Sequence, residues 1–117
     1  MFRLTAGAAK PMPWIMLSVA GVLEVVWAYF MKQSQGFTRV TPTVIIFVAM
    51  FASFGLLSLS MKTLPLGTAY TVWTGIGAFG AFVVGITVLG EQVNVARVAA
   101  AVLIVSGLVL MRFASPD

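Results

Sequence analysis

Residues 14–31 read Trp-Ile-Met-Leu-Ser-Val-Ala-Gly-Val-Leu-Glu-Val-Val-Trp-Ala-Tyr-Phe-Met. At 1.5 Å per residue a helix of this length covers about 27 Å, close to the roughly 30 Å of a bilayer's hydrocarbon core. One charged side chain, Glu24, interrupts an otherwise apolar run, and Lys32, Gln33, Ser34, Gln35 and Gly36 end it. The run therefore predicts a transmembrane helix with an acid at mid-depth.

Three further runs of the same kind follow. The second covers about 43–60, is expected to start at Pro42, and ends near Lys62. The third covers about 66–89, entered through Leu64-Pro65-Leu66-Gly67. The fourth covers about 95–113, after Gly90-Glu91-Gln92-Val93-Asn94. The expected fold is an all-α membrane protein of four transmembrane helices, with loops too thin to hold a soluble domain. Residues 12–117 form this one domain. Residues 1–11, with Arg3 and Lys10, read as a flexible extension rather than a signal peptide, because their apolar core is too short. Met12 is a second candidate start.

Composition agrees with lipid as the solvent. Of 117 residues, 61% are hydrophobic and 9% charged, against about 25% charged in soluble domains. Cysteine and histidine are absent, which removes disulfides, thiol catalysis, zinc sites and the usual proton shuttle. No metal set and no cofactor motif remains, and one membrane-embedded carboxylate is too little for a catalytic site, so the chain reads as no enzyme. The seven basic residues are scattered singly and give a net charge of +4. None clusters into a patch for nucleic acid or anionic lipid. Of the three acids, Glu91 and Asp117 fall in loop and tail, where water suffices.

Arg3, Lys10, Lys62 and Arg112 fall on the side of the N-terminus, and Lys32, Arg39 and Arg97 on the other. Under the positive-inside rule this is almost no bias. Two readings stand: weak orientation set by the extension, or insertion both ways round. Four short helices enclose little space, which argues for an oligomer, most simply a dimer. In the third span Gly77, Ala81 and Gly85 recur every four residues, a spacing at which helix backbones approach closely. Gly75, Gly77 and Gly80 also lower that helix's stiffness, so hinge and packing roles are both open. Ser106-Gly107 in the fourth span carries the same ambiguity.

Glu24 lies ten residues after Trp14, about 15 Å into the membrane. An ionised carboxylate there costs at least about 2.5–3.5 kcal/mol, and no span offers a Lys, Arg or His near that depth to pair with it. Glu24 is therefore expected to be protonated when empty and ionised when a cation sits beside it, so that proton and cation compete for one group. Equal depth and shared helix faces name its neighbours as Ser53, Tyr70, Trp73 and Trp27. Their hydroxyl, phenol and indole groups are potential donors to a carboxylate, and their rings can stack on a flat cation. Belt or packing roles, the ordinary alternative, fit Trp14 and Phe113 better than these deeper residues.

Four segments carry a resemblance: Gly-Val-Leu-Glu-Val-Val-Trp-Ala (21–28), Gly-Phe-Thr-Arg (36–39), Lys-Thr-Leu-Pro-Leu-Gly-Thr-Ala-Tyr (62–70) and Val-Trp-Thr-Gly-Ile-Gly-Ala (72–78). In order and spacing they resemble the small multidrug resistance family, over about residues 12–113. Trp27, Lys62 and the Trp-Thr-Gly-Ile-Gly-Ala form lean toward its guanidinium-exporter (Gdx, SugE-like) branch. The resemblance implies an antiparallel, dual-topology homodimer in the bacterial inner membrane that exports guanidinium and small guanidinyl cations in exchange for protons. It implies a central site made by Glu24 of both subunits and lined by Ser53, Tyr70, Trp27 and Trp73, with the fourth helix making much of the dimer contact. The extension departs from the compact family pattern. Two rival readings stay open. One is export of quaternary ammonium or other lipophilic cations. The other is a membrane subunit that transports nothing and modulates a partner.

Overall fold

The computed structural model describes residues 11–114. Four helices follow in order: α1 (Met12–Gln33), α2 (Val40–Ser60), α3 (Leu66–Thr87) and α4 (Val95–Ala114). The described residues contain no strand, and all four helices are long and apolar enough to cross a membrane. All but the last residue of the 1–11 extension, and Asp117, lie outside the described residues.

The helix ends follow from local chemistry. Pro13 sits in the first turn of α1, where a missing N–H leaves no bond unmade. The same reasoning corrects the expected start of α2. Pro42 is its third residue rather than its boundary, because the first turn tolerates proline. The α1–α2 turn is built on Ser34, fully buried, whose Oγ donates to the Met31 carbonyl at 2.8 Å and accepts the Phe37 N–H at 3.0 Å. Gln35, Gly36 and Phe37 all take positive φ there. Helix α3 stops at Thr87, two residues short of expectation. Gly90 takes a left-handed φ of 69°, and the Glu91 N–H returns to the Gly85 carbonyl at 2.9 Å. The chain thus folds back over its own helix end. Asn94 opens α4, its Oδ1 accepting the Arg97 N–H at 2.9 Å.

Helix α1 is the centre of the arrangement. Its backbone packs closely against α2 and α3, which meet each other mainly through side chains, and α4 packs on α3 and reaches α1 through Arg112, whose guanidinium carbon lies 4.6 Å from the centre of the Trp14 ring. Leu17 and Ala20 of α1 meet Leu57 of α2 and Ala69, Val72 and Trp73 of α3 in one buried cluster. The α1–α3 crossing is close because glycines face side chains: a Cβ on Gly21 would meet Ile76 Cγ2 at 2.6 Å, and one on Gly80 would strike Val25. The resulting slab measures 48 × 35 × 17 Å. It is too thin to close around a solute at mid-depth. Helix α4 buries only Ala101 and exposes Val98, Val102, Leu103, Val109 and Leu110.

Candidate functional site

Glu24 projects from the middle of α1 onto Gly77 of α3. A Cβ at position 77 would fall on its carboxylate, with Oε2 2.8 Å away. Glycine at 77 thus makes the room in which the acid lies. Glu24 Oε1 is buried and has no hydrogen-bond partner. One turn along the same face, the Trp27 Nε1 is likewise buried without a partner. Polar atoms in such settings almost always find partners, and here an acceptor and a donor both lack one.

The other expected neighbours, Ser53, Trp73 and Tyr70, form a second group that meets α1 one turn before Glu24, at Ala20. Ser53 is fully buried, and its Oγ donates to the Ala20 carbonyl at 2.7 Å. In a regular α-helix that carbonyl also accepts the Glu24 N–H, four residues on. Trp73, 7% exposed, donates its Nε1 to Ser53 Oγ at 3.0 Å. Tyr70 packs on Trp73 with ring centroids 5.4 Å apart. Within this one chain the Ser53 and Trp73 hydrogens therefore go to the Ala20 carbonyl and to Ser53 rather than to the Glu24 carboxylate. Trp73 and Ser53 spend their hydrogens on a chain that ends at α1 backbone, because the serine reaches a carbonyl before it reaches Glu24. They brace the helix that carries the acid. Tyr70 is 53% exposed and faces the open side of the slab.

One wall residue escaped the sequence reading. Phe54 stands edge-on to both Trp27 and Trp73, at 6.3 and 5.9 Å between centroids. It joins the rings of α1, α2 and α3 into one aromatic surface. Its signal was its place beside Ser53, but adjacent residues of a helix point about 100° apart, and only the crossing angle brings the ring back.

The small residues separate by partner. Gly77 receives Glu24 and Gly85 receives the Glu91 carboxylate, while Ala81 between them is exposed in the α1–α3 seam. Gly75 is where α4 seats Leu108 on α3. A Cβ on Gly107 would meet nothing within 4 Å, and this glycine, with Tyr70, Thr74, Leu103 and Leu108, lines an apolar cleft of about 540 Å³ between α3 and α4. Among the described residues no cluster of His, Cys, Asp or Glu could hold a metal ion.

Comparison with known proteins agrees with this architecture. The family described as Small Multidrug Resistance protein matches residues 12–104, from the first residue of α1 well into α4. A guanidinium exporter of Yersinia pseudotuberculosis is 52% identical over 104 residues, covering 89% of this chain and all of the relative. That of Escherichia coli K12 is 52% identical over 89% of this chain and 99% of its own length. One from Proteus vulgaris is 51% identical over the same share of this chain. Those relatives are exporters rather than enzymes. Four membrane-crossing helices and a family match over most of their length lead to one conclusion: this chain belongs to the small multidrug resistance family, as a multi-pass transport protein of the bacterial inner membrane.

Proposed function

We propose that the chain exports guanidinium and small guanidinyl cations in exchange for protons, and that both compete for Glu24. The observation that carries this reading is the buried Glu24 Oε1 with no partner, held over Gly77. An acceptor kept in that state has an obvious pair of visitors. A proton neutralises it, and a cation with N–H donors satisfies it. Guanidinium is planar and presents paired donors that match a carboxylate edge. The ring surface of Trp27, Phe54 and Trp73 supplies flat walls for such an ion. The names of the relatives, guanidinium exporters, support the same substrate.

The working unit in this reading is an antiparallel homodimer in which each chain contributes one Glu24. The slab is 17 Å thick and leaves Tyr70 on an open face, which suits a site completed by a second copy. Two protons on the pair exchange for one cation. Because binding is competitive, alternating access around the fixed midplane site is enough to couple the two fluxes. The Ser53–Trp73 brace fixes the backbone level at which Glu24 sits, so the carboxylate need not be rebuilt in each cycle.

Proteoliposomes carrying a proton gradient test this. Wild-type protein should move guanidinium against that gradient, and Glu24→Gln should not. Proton-coupled guanidinium transport surviving in Glu24→Gln sinks the mechanism. Transport of bulky quaternary ammonium ions in preference to guanidinium would reassign the substrate and leave the site in place.

A further inference from the structure

Arg97, near the start of α4, folds back on the turn that ends α3. Its Nη1 donates to the Gln92 carbonyl at 2.6 Å and its Nη2 to Glu91 Oε1 at 3.4 Å. Its guanidinium carbon lies 5.3 Å from the centre of the Phe82 ring. A carboxylate, a carbonyl and a ring face thus already hold one guanidinium group at this end of the bundle. The carboxylate is set against the protein: it lies over Gly85, where an added Cβ would meet Oε1 at 2.5 Å.

Glu91 also lines a small cavity of about 130 Å³, together with Val25, Ala28, Tyr29 and Lys32 of α1 and Ala81 of α3. Ala28 is one turn beyond Glu24, and Ala81 is one turn beyond Gly77. The cavity therefore continues the same α1–α3 seam from Glu24 toward the membrane surface. Lys32 is two turns from Glu24, about 12 Å along the axis.

We propose that Glu91 is an outer docking site for guanidinium, taken before the cation reaches Glu24, and that Arg97 is its built-in occupant, displaced by the arriving ion. This rests on the guanidinium reading above. The substitution is chemically even, since one guanidinium group replaces another on the same carboxylate and carbonyl. It is also easy. The Arg97–Glu91 pair is long at 3.4 Å, and its side chains are 37% and 41% exposed, a setting in which ion pairs are weak. Lys32 across the cavity keeps the docked ion loosely held, as a transit site requires.

Opposite effects of two substitutions test the idea. Guanidinium flux into proteoliposomes is measured at about 0.15 M ionic strength, where the Debye length is about 8 Å and steering from beyond that distance is largely screened. Glu91→Gln should raise KM about two- to fivefold, the scale of an exposed charge pair, with the maximal rate retained. Arg97→Gln should lower KM by a similar factor, because the competitor is gone. A clasp that only shapes the loop predicts the same direction for both, since either variant breaks it. Equal signs, or no change in either, overturn the proposal. A second measurement decides if a variant fails to fold. In Glu24→Gln protein labelled with 15N-arginine, guanidinium chloride should shift the Arg97 side-chain signal saturably, and matched sodium chloride should not. Identical responses to the two salts refute the outer site. The titration does not depend on transport, so a wild type that moves no guanidinium defeats the main reading without deciding this one.

Discussion

Replacing Gly77 with alanine adds a single methyl group at the point where α3 meets the Glu24 carboxylate. The new Cβ would clash with Oε1 and lie 2.8 Å from Oε2, so the carboxylate must move. Two effects on stability oppose each other. Alanine gains about 0.8–1.0 kcal/mol over glycine in a helix interior, and overpacking costs about 1–3 kcal/mol. The net change should lie between roughly neutral and 2 kcal/mol destabilising, and the protein should still fold. Function should respond far more. A reacting group misplaced by about 1 Å can lose on the order of 100-fold, so kcat/KM for guanidinium should fall by about 10- to 100-fold. The assay pairs proton-coupled guanidinium flux in proteoliposomes with a thermal melt in detergent. Gly67→Ala is the control, because nothing lies within 4 Å of a Cβ there; it should leave transport unchanged. Gly77→Ala with wild-type kcat/KM would refute the placement of Glu24 over Gly77 as a requirement of transport.

Other perturbations give separable outcomes. Ser53→Ala should lower the melting temperature, because Trp73 Nε1 loses its acceptor in a buried setting, worth about 1–3 kcal/mol. Adding Trp73→Phe should restore part of that loss in a double-mutant cycle, and simple additivity would speak against the brace. Competition at Glu24 fixes a pH dependence by sign: cations bind the ionised carboxylate, so guanidinium affinity should weaken as pH falls. Calorimetry at several pH values checks this, and a pH-independent affinity in wild type contradicts a shared group. Gly90→Ala forces an L side chain into φ 69°, at about 1–2 kcal/mol. It should loosen the α3–α4 turn, seen as faster proteolysis between Leu89 and Val95.

Much of the architecture was legible before any coordinates. Apolar runs of membrane-crossing length separated by short polar turns dictate four helices, because a backbone in lipid must satisfy its hydrogen bonds within each segment. Glu24 stood out for a similar reason: a carboxylate at that depth is expensive wherever the helix points. Helix ends were less legible. Pro42 looked like a boundary, yet a proline in the first turn breaks no bond, and α2 begins two residues earlier. Helix α3 ended early because Gly90 turned the chain back.

The small residues and the polar neighbours show where sequence alone stopped. Four-residue spacing placed Gly77, Ala81 and Gly85 on one face, but the crossing of α1 over α3 decided that Gly77 and Gly85 meet the carboxylates of Glu24 and Glu91. Depth counting placed Ser53 and Trp73 near Glu24. Which atom each hydroxyl or indole reaches depends on ångström-scale offsets between helices, and those gave Ser53 the Ala20 carbonyl and Trp73 the Ser53 oxygen. The sequence by itself determined what does not depend on how helices meet: the number of spans, the membrane as solvent, and one uncompensated acid at mid-depth. Tertiary structure decided what that acid touches, that its Oε1 has no partner, and that Phe54 completes the ring surface, because each of these follows from interhelical angles and separations that no periodicity encodes.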